Sequence, residues 1–220
     1  MKALLLIGSP RKGKSASETL GAYLLRGLEA QGAETDKLYI YPALRSEERL
    51  DALVSAAAAA DLVIFSAPLY VDALPAAVTE VLEILHRCLD EHQRPAEQRL
   101  VAISNCGFPE AEQNEIALRI YRCFARQSGF IWGGGLAMGG GEMVKGKPLD
   151  ESGGMARNVI TALDLTAEAL AGGQSIPQDA VDLTAEPLAP AWVYRAMGNA
   201  GWHVQALRKG TWRQLRARVW

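Results

Sequence analysis

The residues with the clearest capacity for chemistry lie in the run 8–15, which reads Gly-Ser-Pro-Arg-Lys-Gly-Lys-Ser. The run follows the apolar stretch 3–7 and precedes an amphipathic segment, so it predicts a strand, a tight loop and a helix N-terminus. Unpaired N–H groups in the first turn of a helix, together with the helix dipole, favour a phosphate at this position. Ser15 and Glu18 have the spacing of a capping box, which marks the helix start independently of any ligand.

The same run also fits the Walker A pattern of nucleotide triphosphatases. Such enzymes need a magnesium ligand, usually an Asp at the C-terminal end of another buried strand. No Asp follows the other two strongly apolar strands, 62–65 and 100–103, and Asp61 precedes its strand instead. Pro10 also removes one of the N–H donors that a cradle for two phosphates would use.

A single phosphate suits the loop better than a triphosphate does. Hydroxyl groups and one guanidinium, which can pair bidentately, can donate to one phosphate at this loop. These donors are Ser9, Ser15, Ser17 and Arg11. Serines at such positions also cap helices and form turns without a ligand, and this alternative stays open at this point.

The segment after the third strand indicates which phosphate compound fits. Residues 67–75, Ala-Pro-Leu-Tyr-Val-Asp-Ala-Leu-Pro, resemble the flavin-binding loop of the NADPH-dependent FMN reductase family, a branch of the flavodoxin-like proteins. The first loop is similar to the Gly-Ser-Pro-Arg signature of that family, with two further serines nearby. The resemblance covers residues 1–175 in the order of elements and implies that FMN and NAD(P)H are the cofactors.

The resemblance implies that three loops hold the flavin. The first loop would bind the phosphate, the second would lie along the isoalloxazine ring, and the third would form its other wall. The residues implied are Ser9, Arg11, Ser15, Ser17, Pro68, Leu69, Tyr70, Val71, Asn105, Cys106, Gly107 and Phe108. We expect the Tyr70 ring to cover one flavin face, although a surface aromatic in a turn is the alternative. Backbone amides in 105–108, or less favourably the Asn105 side chain, would donate to the N1/O2 edge, where negative charge grows on reduction.

Hydride transfer at the flavin is chemistry that the cofactor itself performs, so no catalytic side chain is predicted. The three cysteines are too widely spaced for an iron–sulfur cluster, and the three histidines lack metal-binding spacing. No metal is therefore predicted. Cys106 could be a redox-active thiol beside the flavin, but a small residue at a strand end is the interpretation we favour.

The whole chain alternates between apolar strands and amphipathic helices. Strands are predicted at 3–7, 37–41, 62–65, 100–103 and 130–138. This alternation indicates a five-stranded parallel sheet with helices on both faces, and the resemblance makes it a flavodoxin-like, doubly wound α/β fold. In such sheets the ligand binds beyond the C-terminal strand ends, where the strand order reverses. All the candidate residues lie in loops at that edge.

The C-terminal part of the chain differs from the rest in composition. We expect a flavin-binding domain over 1–175 and a helical extension over 176–220. Residues 190–220 contain four of the five tryptophans and six Lys or Arg, with no acidic residue. An apolar stripe at helical spacing in this segment predicts packing on the domain or on a dimer mate. Binding to an anionic membrane or to nucleic acid is the less favoured alternative.

Two glycine triplets, 133–135 and 139–141, lie in and after the fifth strand. They do not have the spacing of a dinucleotide fingerprint. They indicate either backbone that approaches another surface closely or a mobile loop over the flavin, and we favour the mobile loop.

Composition is that of an ordinary soluble enzyme, with 220 residues, 49% hydrophobic residues and a net charge of −2. Cysteines without paired spacing indicate a reducing compartment, and the initial apolar stretch is too short for a signal peptide. No stretch has the length of a membrane span. We therefore expect a cytoplasmic protein, without a nucleic-acid partner, that forms a homodimer.

These observations predict an FMN-dependent NAD(P)H oxidoreductase that reduces a small acceptor such as a quinone, a nitro compound or a free flavin. A flavodoxin-type electron carrier is one alternative, but carriers are usually strongly acidic near the flavin, whereas this loop contains Arg11, Lys12 and Lys14. A P-loop nucleotide hydrolase is the second alternative and lacks its strand-end Asp. A regulatory module on the same fold, without a ligand, is the third.

Overall fold

The computed structural model describes residues 1–215 and 217 of the chain. The chain divides into two compact units, one over Met1–Leu188 and one that begins at Ala189. Trp220, the last of the four tryptophans in the segment 190–220, lies outside the described residues. No helix among the described residues combines the length and apolar character needed to cross a membrane.

Among its described residues, the first unit contains a five-stranded sheet and seven α-helices, besides short 3₁₀ turns. The strands are β1 (Lys2–Ile7), β2 (Glu34–Tyr39), β3 (Leu62–Pro68), β4 (Arg99–Asn105) and β5 (Ile131–Met138). The helices are α1 (Ala16–Ala30), α2 (Ile40–Ala43), α3 (Glu47–Ala59), α4 (Ala76–Cys88), α5 (Glu115–Gln127), α6 (Arg157–Ala171) and α7 (Gln178–Ala185). The second unit contains α8 (Ala191–Arg208).

The strand order in the sheet is β2-β1-β3-β4-β5, and each neighbouring pair is parallel. This is the flavodoxin-like order of a doubly wound sheet, and it reverses between β1 and β3. The predicted fold class is confirmed. The loops that follow β1 and β3 therefore lie side by side at the carboxyl edge of the sheet.

Burial explains why these strands could be found in the sequence. The central strands β1, β3 and β4 are buried at almost every position, because helices cover both faces of the sheet. One hydrophobic core includes Leu53 of α3, Val78 of α4 and Tyr121 of α5. The core on the other face includes Leu20 of α1 and Leu163 of α6.

Two predicted elements differ from the observed ones. The second strand ends at Tyr39 rather than at residue 41, because the chain turns into α2, where Pro42 has no N–H for a strand ladder. The sequence also predicts a fifth helix over 150–171, and in the structure the α-helix there begins at Arg157. Before it, Leu149–Ala156 forms 3₁₀ turns, and Gly153 adopts a left-handed backbone with φ 66° that interrupts a regular helix.

The C-terminal boundary follows from the packing of α7. This helix packs against α6 and β5 within the first unit, which extends through Leu188. The functional division that we expect at residue 175 stays a prediction. In the second unit, the tryptophans of α8 and several of its apolar side chains are exposed, and the surface that covers them also stays a prediction.

The glycine triplets are sites of close backbone packing. Residues 133–135 lie within β5. A Cβ atom on Gly139 would lie 2.2 Å from the carbonyl oxygen of Pro109, and the N–H of Gly140 donates to the carbonyl of Phe108 at 2.7 Å. The structure thus supports the first of the two alternatives, close backbone approach, and not the mobile loop that we favoured.

Replacement of Gly139 by alanine is expected to destabilise the protein by about 1–3 kcal/mol or more, because the new methyl group would overlap backbone atoms that have no room to move. Urea unfolding of Gly139→Ala measures the effect. Gly154→Ala is the matched control, since a Cβ atom there meets nothing within 4 Å. Equal stability of Gly139→Ala and the unmodified protein would show that the two loops are not packed as described.

Candidate functional site

The loops after β1, β3, β4 and β5 surround an open cleft at the carboxyl edge of the sheet, with a volume of about 120 Å³. Ten of the twelve candidate residues line the cleft: Ser9, Arg11, Ser15, Ser17, Pro68, Leu69, Tyr70, Asn105, Cys106 and Gly107. Val71 and Phe108 are not among its lining residues, and both are exposed.

The first loop leads into helix α1 as the sequence predicts. Ser15 is the N-cap, and its Oγ accepts a hydrogen bond from the N–H of Glu18 at 3.1 Å. Within the part of the chain that the structure describes, the N–H groups of Ser15, Ala16 and Ser17 have no hydrogen-bond partner. These donors lie at the positive end of the helix dipole, so the start of α1 is suited to bind an anion.

Glu18 supports the loop in a way that differs from a capping box. Its carboxylate accepts a hydrogen bond from the N–H of Gly13 at 2.5 Å, rather than from that of Ser15. It also accepts from the Tyr39 hydroxyl, and from Lys37 Nζ at 3.2 Å. Burial alone would raise the pKa of Glu18, but the hydrogen bonds from Tyr39, Gly13 and Lys37 lower it below its usual value. The carboxylate therefore stays ionised and holds the loop over the start of α1.

A buried group of hydrogen bonds fixes the position of Ser17. Asn105 Nδ2 donates to Ser17 Oγ at 2.8 Å and to the Ala67 carbonyl at 3.2 Å. The Ser66 hydroxyl donates to the Ser17 carbonyl at 2.7 Å. Both hydrogens of the Asn105 amide are therefore engaged within the protein, and this side chain joins α1 to β3 and β4.

Cys106 is a packing residue in this structure. The carbonyl oxygens of Phe108 and Glu110, at 3.5 and 3.6 Å, are the two acceptors within reach of its single S–H, and its sulfur accepts from Asn114 Nδ2 at 3.4 Å. Burial raises the pKa of the Cys106 thiol above its usual value. The thiol stays protonated at neutral pH, which makes it a poor nucleophile. Its backbone N–H donates to the Met138 carbonyl at 3.0 Å.

The second loop contains a tight turn with an unusual backbone. The N–H groups of Tyr70 and Ala73 each donate to the carbonyl of the other residue, at 2.9 and 3.2 Å. Val71 and Asp72 between them have φ angles of 47° and 62°, the signs expected of a type I′ turn. Left-handed backbone costs non-glycine residues about 1–2 kcal/mol each. The turn holds Tyr70 at the cleft wall, with its ring partly exposed.

Sequence reasoning missed four of the lining residues: Ala16, Gly141, Glu142 and Lys145. Glu142 Oε1 lies 3.4 Å from Arg11 Nη1, and its other oxygen forms an ion pair with Lys145. These residues follow β5 and so lie at the same edge of the sheet as the other loops. The glycine triplet 139–141, for which a loop over the flavin is one of the predicted alternatives, is the sequence signal for this segment.

The sequence matches the model of the NADPH-dependent FMN reductase family over residues 1–119, more than half of the chain. The chain belongs to the NADPH-dependent FMN reductase family. It is an NAD(P)H-dependent oxidoreductase with FMN as its cofactor. Family membership sets aside the nucleotide hydrolase, the electron carrier and the regulatory module without a ligand.

Solved structures share the fold of this reductase at low sequence identity. The FMN-dependent NADH-azoreductase from Bacillus anthracis str. Ames Ancestor, solved with FMN, has a TM-score of 0.54 and 11% identity over 78% of this chain and 100% of its own. An NADH:FMN oxidoreductase in its apo form has a TM-score of 0.54 and 15% identity, over 86% and 96%. The azoreductase from Bacillus anthracis str. Sterne has a TM-score of 0.51 and 15% identity, over 79% and 99%. Comparison with curated proteins gave no match.

The donors of the cleft suit FMN. The N–H groups at the start of α1, the Ser9 hydroxyl and the Arg11 guanidinium can bind a phosphate. The Ser9 oxygen accepts only the N–H of Arg11 at 3.3 Å among the described residues, so its own proton is available to a ligand. Apolar and backbone surface of the second and third loops is available to a flat ring system.

The Arg11→Ala variant is expected to weaken FMN binding by about 10- to 100-fold, because a charge-assisted bond to phosphate contributes about 1.5–3 kcal/mol. Lys14→Ala is the matched control, since Lys14 is exposed and does not line the cleft. Titration of the flavin-free protein with FMN, followed by flavin fluorescence, measures both dissociation constants. A Lys14→Ala variant that loses FMN while Arg11→Ala retains it would overturn the assignment of the phosphate site.

Proposed function

We propose that this reductase binds FMN in the cleft, with the phosphate at the start of α1, and uses NAD(P)H to reduce a small acceptor in alternating half-reactions. The acceptor class that we propose is a quinone, a nitro compound or a free flavin. The observation that carries the proposal is the set of N–H groups at Ser15, Ala16 and Ser17. They have no partner among the described residues, and they lie beside the cleft at the switch point of the sheet.

When bound, FMN supplies the chemistry of hydride acceptance and donation at its ring. The chain's own task is to bind and orient the ring. The turn at Tyr70 and the segment around Gly107 offer two walls of the cleft. The Phe108 N–H has no partner among the described residues and is a candidate donor to the edge of the ring where negative charge grows.

The acceptor class is supported by the surface beside the cleft. Tyr70, Val71 and Phe108 are exposed by 43%, 96% and 54%, so apolar and aromatic side chains stand next to the opening. Such side chains favour flat, apolar or aromatic molecules, which can stack on a ring face that is left open. Quinones, nitroaromatic compounds and flavins share this shape.

Rapid mixing of the FMN-loaded protein with NADH or NADPH under anaerobic conditions is expected to bleach the flavin absorption, and a quinone is expected to restore it. Phe108→Ala is expected to raise the KM of the acceptor more than it changes the rate of flavin reduction. Ile131→Ala is the control, since Ile131 is exposed at the opposite edge of the sheet. Absence of reduction by either coenzyme at millimolar concentration would contradict the proposed function.

We also propose that the protein is a homodimer whose copies pack through α4 and α5. An apolar groove between these helices is lined by Leu82, Ile116 and Ile120. Glu83 of α4 and Arg119 of α5 flank this groove. A twofold axis along the groove would bring Glu83 of each copy to Arg119 of the other, so the surface is complementary to itself.

Sedimentation velocity of the full chain is expected to show a dimer. Glu83→Arg is expected to shift the protein toward monomer by placing like charges together, and the double variant Glu83→Arg and Arg119→Glu is expected to restore the dimer with reversed pairs. A monomeric protein, or a dimer that Glu83→Arg leaves intact, would contradict this interface.

We propose that the extension over 176–220 has a structural role, with its segment 190–220 covered by the domain or by the second copy, because exposed Trp192, Trp202 and Met197 would otherwise form an apolar surface. Nucleic acid and membrane are not proposed as partners. We propose a cytoplasmic location because the three cysteines are free thiols.

A further inference from the structure

The phosphate end of the cleft contains a negative charge where only positive ones would be expected. Glu142 lies between Arg11 and Lys145, with Oε1 3.4 Å from the guanidinium and the other oxygen paired with the ammonium group. All three side chains line the cleft. The carboxylate is thus paired with the two side-chain cations that are best placed to bind a phosphate.

The backbone that carries Glu142 is firmly placed. The N–H of Gly141 donates to the Cys106 carbonyl at 2.9 Å, and a Cβ atom on Gly141 would lie 3.0 Å from Asn105 Oδ1. Val144 on the other side is buried in the hydrophobic core. Release of the two cations therefore requires rotation of the Glu142 side chain and does not require movement of the loop.

Rotation of the Glu142 side chain costs little free energy. The side chains of Arg11, Glu142 and Lys145 are exposed by 61%, 54% and 39%, and ion pairs at such exposure contribute little to stability because water screens them. A phosphate has a larger charge and more acceptor oxygens than a carboxylate, so it competes well for the same cations. Only an anion that also gains contacts elsewhere in the cleft would displace Glu142 at low concentration.

We propose that Glu142 is an internal counter-anion for Arg11 and Lys145, which the phosphate of the flavin displaces. It weakens the binding of FMN and raises the concentration of inorganic phosphate that is needed to occupy the site. Glu142 and Lys145 are in this account specificity-determining residues for the cofactor. The inference rests on the proposed phosphate site at the start of α1.

The test compares the dissociation constants of FMN and riboflavin for the flavin-free full chain, measured by fluorescence titration. Glu142→Gln is expected to lower the dissociation constant of FMN by about three- to tenfold and to leave that of riboflavin unchanged. Inorganic phosphate is expected to compete with FMN more strongly in this variant. Lys145→Gln is expected to raise the dissociation constant of FMN. Asp150→Asn is the control, because Asp150 forms a similarly exposed pair with Arg26 at 3.0 Å outside the cleft.

An unchanged or raised dissociation constant of FMN in Glu142→Gln would overturn the inference. Equal shifts for FMN and riboflavin, or an equal effect of Asp150→Asn, would also overturn it by showing a general effect of charge. If the unmodified protein binds FMN and riboflavin equally well, the phosphate site itself is wrong and the role of Glu142 falls with it. If the unmodified protein prefers FMN but Glu142→Gln has no effect, only the role of Glu142 is wrong.

Discussion

The buried hydrogen bonds around Ser17 are the constraint on which the cleft depends. Its hydroxyl accepts from Asn105, and its carbonyl accepts from the Ser66 hydroxyl. These bonds fasten the first turn of α1 to the ends of β3 and β4, which sets where the unpaired N–H groups of that turn lie. Because the groups are buried, loss of one partner would leave a polar atom unsatisfied at a cost of about 1–3 kcal/mol. The proposed phosphate site therefore consists of backbone that the sheet itself holds in place.

A division between buried and exposed groups runs through the cleft. Ser17, Asn105 and Cys106 are buried: Asn105 donates to Ser17, and Cys106 accepts from Asn114, so these side chains fix the geometry of the cleft. Arg11 and Glu142 are exposed, so their charges are screened and their side chains can exchange partners. For the flavin binding that we propose, such an arrangement would combine a rigid frame with exposed charges that can change partners. This division would allow the flavin to bind and dissociate while the buried groups stay in place.

Much of this structure could be predicted from the sequence because its causes are local. Strands buried on both faces are apolar without interruption, as in residues 3–7, and Ser15 caps α1 as its type and position indicate. What depends on distant contacts could not be predicted. The pair of Arg11 with Glu142 spans 131 residues, and the close packing of Gly139 on Pro109 depends on how two loops meet. Ten of the residues that the family resemblance implies lie in one cleft. The positions of Lys145 and of Glu142, its counter-anion, in that cleft could be found only from the structure.

The central claim is that the phosphate of FMN binds to the backbone at the start of α1. Amide NMR spectra of the ¹⁵N-labelled, flavin-free protein, recorded during titration with FMN and with riboflavin, test it most directly. We expect FMN to produce large shifts at the amides of Ser15, Ala16 and Ser17, whereas riboflavin would shift mainly the amides near Tyr70 and Gly107. Shifts of similar size at residues 15–17 with both flavins, or none there with FMN, would contradict the account.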